Sequence, residues 1–118
     1  INNGVMDLMW QQRSADVFLG LPYDITMYGL LLEMLAEGAG LKAGQLIGQL
    51  GDCHLYNNHL DQAKEYRRRS KRALPFLHLD KGISTNALEG LNIPEDFEIK
   101  LINYNPYPAI KAELSVGK

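Results

Sequence analysis

The chain has 118 residues, 46% of them hydrophobic, with a formal net charge of -2 and one cysteine. That length is one domain or part of one, and the apolar share suits a chain that buries a core. The acidic balance argues against a nucleic-acid surface, the lone cysteine excludes an internal disulfide framework and fits a reducing cytosol, and no apolar run approaches the ~20 residues that span a bilayer.

The chain opens Ile1-Asn2-Asn3-Gly4 and passes straight into an alternating pattern, which reads as a piece of a larger chain. From Val5 to Asp16 a strand is predicted, with Met6, Leu8 and Trp10 on the same face as Gln12, Ser14 and Asp16. The face is apolar in its first half and polar in its second, as in a strand entering a cleft. Arg13 points the other way in a regular strand, so joint use of Arg13 and Ser14 calls for a bulge there.

Gly20-Leu21-Pro22 breaks the strand, and Asp24 is the expected N-cap of a helix running to about Glu37. Tyr28, Leu31, Leu32, Leu35, Ala36 and Ala39 form its inward stripe. Gly38 and Gly40 end it, and Lys42-Ala43-Gly44 reads as a turn. The functional part of this helix is its N-terminus, where free N–H groups and the dipole favour an anion or polar ligand.

Gln45 to Tyr56 is a second long strand, apolar at first and hydrogen-bonding at its end. His54 and Tyr56 share a face roughly 6.6 Å apart, and Cys53, alternating with them, reads as a small buried residue rather than a nucleophile. Asn57 or Asn58 caps a second helix with Leu60 and Ala63 inward. Its basic run, Lys64, Arg67, Arg68, Arg69, Lys71 and Arg72, is a phosphate site or a solvated face. Leu74 to Leu79 is a short strand, Asp80 to Pro94 a loop, Phe97 to Tyr104 a third strand, and Asn105-Pro106-Tyr107-Pro108 a rigid turn before the tail.

Arg13 offers a fork of donors suited to phosphate, and Ser14 adds a hydroxyl. His54 and Tyr56 can hydrogen-bond a sugar hydroxyl, and Asp24 can accept from a ring edge bearing N–H groups. Phosphate, sugar and base together describe a nucleoside monophosphate, although each residue taken singly also occurs in plain cores. His54, His59 and His78 lack metal-ligand spacing with Cys53 or acidic partners, and no phosphate-binding glycine loop is present.

Three stretches together carry a family resemblance. Gln12-Arg13-Ser14-Ala15-Asp16-Val17-Phe18-Leu19-Gly20-Leu21-Pro22-Tyr23-Asp24-Ile25 resembles the thymidylate synthase signature Gln-Arg-Ser-x-Asp-x-Phe-Leu-Gly-x-Pro-Phe-Asn-Ile. Gly51-Asp52-Cys53-His54-Leu55-Tyr56-Asn57-Asn58-His59 is similar to that family's Gly-Asp-x-His-x-Tyr-x-Asn-His, and Tyr104 to Ala112 to its closing Tyr-x-Pro-His-Pro-x-Ile-Lys-Ala. The likeness spans nearly the whole chain, in order.

The resemblance implies an α+β fold, with a mixed bent sheet packed by a long core helix, and makes residues 1–118 the C-terminal part of a single such domain. It implies a cytoplasmic homodimer, without metal, nucleic acid or membrane, that transfers one carbon from 5,10-methylenetetrahydrofolate to C5 of a pyrimidine nucleotide. Carried over by position, Arg13 and Ser14 bind the phosphate with Gln12 beside them, and His54 and Tyr56 hold the sugar 3′-hydroxyl. Asp16 hydrogen-bonds the pterin ring at the edge of the substrate site, and Leu19, Gly20 and Tyr23 line the folate site.

Departures from the family pattern shape the expectation further. The family's nucleophilic cysteine lies before the matched segment, and Cys53 stands where the family has Ala or Thr; the chain is therefore expected to be the C-terminal half and inactive alone, or else a non-catalytic nucleotide-binding or dimerising fragment. Asp24 replaces the family's Asn. A carboxylate only accepts, so it favours the cytosine amino group over uracil O4, and deoxycytidylate hydroxymethylases also carry Asp here. The expectation leans to dCMP, with dUMP as the alternative. Tyr107 replaces a His, and the tail from Lys111 to Lys118 outruns the family's usual ending, whose carboxylate helps close the site.

Overall fold

A computed structural model describes residues 1–80, 95 and 97–115. The elements, in order, are β1 (Val5–Asp16), α1 (Leu21–Gly38), β2 (Lys42–His54), a 3-10 turn (Asn57–His59), α2 (Leu60–Arg68), β3 (Phe76–Leu79) and β4 (Ile99–Ile102). The fold is mixed α and β, compatible with the α+β class. Among the described residues the expected single sheet is instead two pairs, β1 with β2 parallel and β3 with β4 antiparallel. Parallel partners need a long crossover, and α1 supplies it.

β1 has the expected bounds, and its Asp7, Met9, Gln11 and Arg13 are exposed while the residues between them are covered to varying degrees. The bulge expected at Arg13 and Ser14 is not there. Register runs unbroken from Leu8↔Leu46 to Asp16↔His54, and the single shift lies between Met6 and Leu8. β2 carries the extra residue at that point. Gln45 N–H donates to Asp7 Oδ1 at 2.7 Å, and a Cβ on Gly44 would lie 2.3 Å from that same oxygen. Gly44 thus belongs to a bulge that lets β2 start at Lys42, where the glycine alone suggested a turn.

α1 starts earlier than expected. Its N-cap is Gly20 with no side-chain capping bond, and Pro22 and Asp24 occupy its first turn. Proline suits that position because its missing N–H would have no helical acceptor anyway, so Asp24 is released from capping. At the other end Gly40, at φ 65°, takes the left-handed conformation that glycine adopts without penalty, and Leu41 N–H returns to Ala36 O at 2.8 Å.

The core is the seam between α1 and the parallel pair. Trp10, Ala15, Leu32, Met34 and Ala36 are buried, whereas Leu31 and Ala39 of the expected stripe are exposed. Only part of α1 is covered, so an 18-residue helix is present without being enclosed as a core helix. Trp10 stacks on Tyr28 with centroids 5.0 Å apart, and its ring lies where a Cβ on Gly48 would come within 2.4 Å. A buried tryptophan removes on the order of 200 Å² from water, worth about 5 kcal/mol at most. That makes Trp10 the principal anchor between β1, β2 and α1.

β3 and β4 are shorter than their expected stretches, and Asn103 ends β4 at φ 59°. The loop expected from Asp80 to Pro94 lies, apart from Asp80, outside the described residues. No helix among the described residues is long and apolar enough to cross a membrane.

Candidate functional site

The parallel ladder carries β1 and β2 to the same end of the pair, with Ser14 opposite Asp52, Ala15 opposite Cys53 and Asp16 opposite His54. Val17 N–H extends the ladder to His54 O at 2.9 Å. Two strand ends that differ by 38 residues in sequence thereby present their polar halves together.

Asp16 closes the turn that follows β1. Its Oδ1 accepts from Phe18 N–H at 3.0 Å and Leu19 N–H at 3.3 Å, while its carbonyl accepts from Gly20 N–H at 3.1 Å. A single side chain so satisfies the donors of residues 18 and 19 and aims the first turn of α1 beside the strand ends. Leu19 and Gly20 are half-buried in this turn, and Tyr23 is 77% exposed on the first turn of the helix.

Gln12 joins the strand to that helix. Its Nε2 donates to Asp24 Oδ2 at 2.7 Å and to Ser14 O at 2.9 Å, and its Oε1 accepts from Trp10 Nε1 at 3.3 Å. The core anchor, the polar strand end and Asp24 therefore form one connected network. Asp24 serves as an acceptor within it.

From β2, His54 turns its Nδ1 toward Asp52, 3.1 Å from the carbonyl and 3.6 Å from Oδ2. Its ring meets Tyr56 edge to face at 4.8 Å. Ser14, Asp52, His54, Leu55, Tyr56 and Asn57 line one open cleft of about 400 Å³. Arg13 is not on it. Being odd-numbered in an unbroken strand, Arg13 is exposed on the other face, along a second cleft with Gln11, Gln12, Gln49, Leu50 and Gly51. The structure thus brings Ser14, His54 and Tyr56 to one cleft, links Gln12 with Asp24, and leaves Arg13 off the cleft of Ser14, His54 and Tyr56.

Other expectations change. Cys53 is exposed rather than buried, because β2 has no neighbour beyond β1 among the described residues. Neither Asn57 nor Asn58 makes a capping bond, and Leu60 is 45% exposed instead of inward. The basic run divides. Arg69 Nη1 donates to Pro108 O at 2.7 Å, and Arg72 Nη1 lies 2.8–2.9 Å from Asn105 O, Asn105 Oδ1 and Pro106 O. The Arg72 guanidinium also sits 3.7 Å from the Tyr107 ring centroid. Arg67 and Arg68 remain exposed. Lys64 bonds to Asp61, and that hydrogen bond and the lysine charge lower the Asp61 pKa.

Two groupings were not legible in the sequence. His78, Asp80 and Glu98 come together through β3 and β4, with potential ligand atoms within 4.8 Å of one another, although Lys100 pairs with Glu98. His59 is fully buried, with Nε2 2.7 Å from Glu113 O and its ring against Phe18 and Tyr56. The pairing of Asn58 and His59 in the second motif was a signal, but their partners lie more than 50 residues away.

Comparison with known proteins assigns this arrangement to a class. The family model described as thymidylate synthase matches residues 1–116. Over 116 residues the chain is 42% identical to the thymidylate synthase of Corynebacterium aurimucosum, covering 98% of this chain and 41% of that protein. It is 44% identical over 116 residues to the thymidylate synthase of Francisella tularensis subsp. holarctica, covering 98% and 40%. The chain belongs to the thymidylate synthase family, and it spans about two fifths of the length of these curated relatives.

Proposed function

We propose that this chain is the nucleotide- and folate-facing part of an enzyme that transfers one carbon from 5,10-methylenetetrahydrofolate to C5 of dUMP, giving dTMP. One observation carries the reading: in a chain of this family, a single parallel register gathers Ser14, His54 and Tyr56 on one cleft at the strand ends. The names of the relatives favour dUMP as the substrate.

In this reading His54 and Tyr56 hold the sugar 3′-hydroxyl, and Ser14 donates its hydroxyl to the phosphate. Arg13 supplies the phosphate charge through its long, exposed side chain, reaching round from the far face of β1. Gln12 holds Asp24 toward the base edge. The folate supplies the one-carbon unit when bound. The turn after β1 suits its ring: Asp16 commits Oδ1 to backbone N–H groups, and Oδ2 remains an acceptor for a ring N–H beside Leu19, Gly20 and Tyr23. Cys53 matches a non-nucleophilic family position, so the attacking thiolate comes from a cysteine outside these 118 residues. The chain by itself binds nucleotide without turning it over, and the working enzyme is a cytoplasmic homodimer.

Asp24 favours a second reading, dCMP as substrate and a hydroxymethyl product. The carboxylate accepts from Gln12 and can accept again from a cytosine amino group, but it cannot donate to uracil O4. The deciding assay gives the enzyme, completed with the N-terminal part of a thymidylate synthase, each nucleotide in turn with methylenetetrahydrofolate. Turnover of dUMP with dihydrofolate released is expected. Faster turnover of dCMP without dihydrofolate would install the second reading, and no turnover of either would remove both.

A further inference from the structure

We propose that His59 is a positioning residue, a latch that pins the C-terminal segment Glu113–Ser115 behind the His54–Tyr56 pair and so sets the orientation of Tyr56. His59 is the one buried polar residue among those described, with no exposed surface. A carbonyl oxygen only accepts, so the 2.7 Å contact to Glu113 O requires the hydrogen on Nε2. Nδ1 is buried without a partner among the described residues.

The preceding residue acts on the same segment. Asn58 Oδ1 accepts from Ser115 Oγ–H at 2.8 Å. Consecutive side chains of the 3-10 turn so hold residues 113 and 115, and both bonds close loops of more than 50 residues. On its other sides the His59 ring meets Tyr56 edge to face at 6.0 Å and Phe18 at 5.5 Å. Phe18 N–H is held by Asp16, while Tyr56 is held against His54. His59 is consequently the point where the turn after β1, the turn after β2 and the tail segment meet. A tail that docks there fixes the tyrosine; one that leaves exposes Nε2–H and removes a wall behind the ring.

The latch itself stands on these contacts alone, whereas its consequence for a nucleotide rests on the function proposed above. Nitrogen-15 NMR of the whole polypeptide follows both. The expected result is a slowly exchanging His59 Nε2–H resonance that is lost when residues 113–118 are deleted, together with a shift of the Tyr56 ring signals. His59→Gln, which keeps a donor, retains most of the Tyr56 signature; His59→Phe, which keeps the ring, does not. If His59→Phe fails to fold, Ser115→Ala serves instead, with an expected increase of at least threefold in His59 N–H exchange. A His59 resonance and Tyr56 signals unchanged by tail deletion would overturn the latch. An intact tail-dependent resonance in a protein that binds no dUMP supports the latch and counts against the nucleotide reading alone.

Discussion

Asp16 faces His54 across the parallel ladder, and the N–H of the residue after Asp16 donates to the His54 carbonyl. The turn beside α1 and the histidine of the cleft are thus held by one rung. Side chains alternate faces along a strand, so a slip of one residue would carry His54 away from Ser14. The site depends on register, and register depends on what allows β1 and β2 to approach.

Gly51 is one such feature. A Cβ there would lie 2.6 Å from Arg13 O, a backbone atom that cannot swing aside. Gly51→Val is expected to destabilise the chain by about 1–3 kcal/mol, read as a lower urea midpoint, and to weaken dUMP binding in parallel.

Gly48 meets a side chain instead. Its added Cβ would strike the ring of Trp10, the chain's one tryptophan. Gly48→Ala is expected to shift Trp10 fluorescence to longer wavelength by loosening its stack on Tyr28. Trp10→Phe keeps most of the apolar burial but deletes the Nε1–H donor to Gln12, so it should lose about 1–2 kcal/mol.

Arg72 holds the turn of residues 105–107 by hydrogen bonds and by stacking on Tyr107. Arg72→Ala is expected to lower stability by about 1–2 kcal/mol, measured by thermal unfolding. Arg72→Lys recovers little, because an ammonium cannot present a planar fork. Arg68→Ala, at an exposed position, should stay within about 0.5 kcal/mol of the parent.

Under the proposed function Asp24 faces the base and bears on which one is bound. Asp24→Asn keeps an acceptor for Gln12 Nε2 and adds a donor. In the completed enzyme it is expected to raise kcat/KM for dUMP relative to dCMP by roughly ten- to a hundredfold, as relief of an unpaired buried group implies. An unchanged ratio would leave Asp24 with no part in base choice.

What the sequence disclosed follows from range. The period-two pattern from Val5 to Asp16 gives β1 its bounds because alternation is a local signal. The three motifs point to Ser14, His54 and Tyr56, and the parallel pairing then places them on one cleft. Local chemistry misled where two roles compete for one residue type. Gly44 serves a bulge rather than a turn, and Asp24 accepts from Gln12 rather than capping α1. Contacts made at long range could not be assigned their partners: His59 with Glu113, Arg72 with Asn105, and His78 with Glu98 depend on pairings that no spacing encodes. Arg13 shows the converse. Its place in a motif suggested the same pocket as Ser14, but an unbroken register turns adjacent residues to opposite faces.

The central claim, that the His54–Tyr56 pair grips a sugar hydroxyl, is tested most directly by calorimetry with dUMP and its analogue lacking the 3′-hydroxyl. The parent chain is expected to bind the analogue about five- to tenfold more weakly, the worth of one hydrogen bond of ~1 kcal/mol, and that ratio should fall to about one in Tyr56→Phe and in His54→Ala. A ratio that persists undiminished in both variants would contradict it.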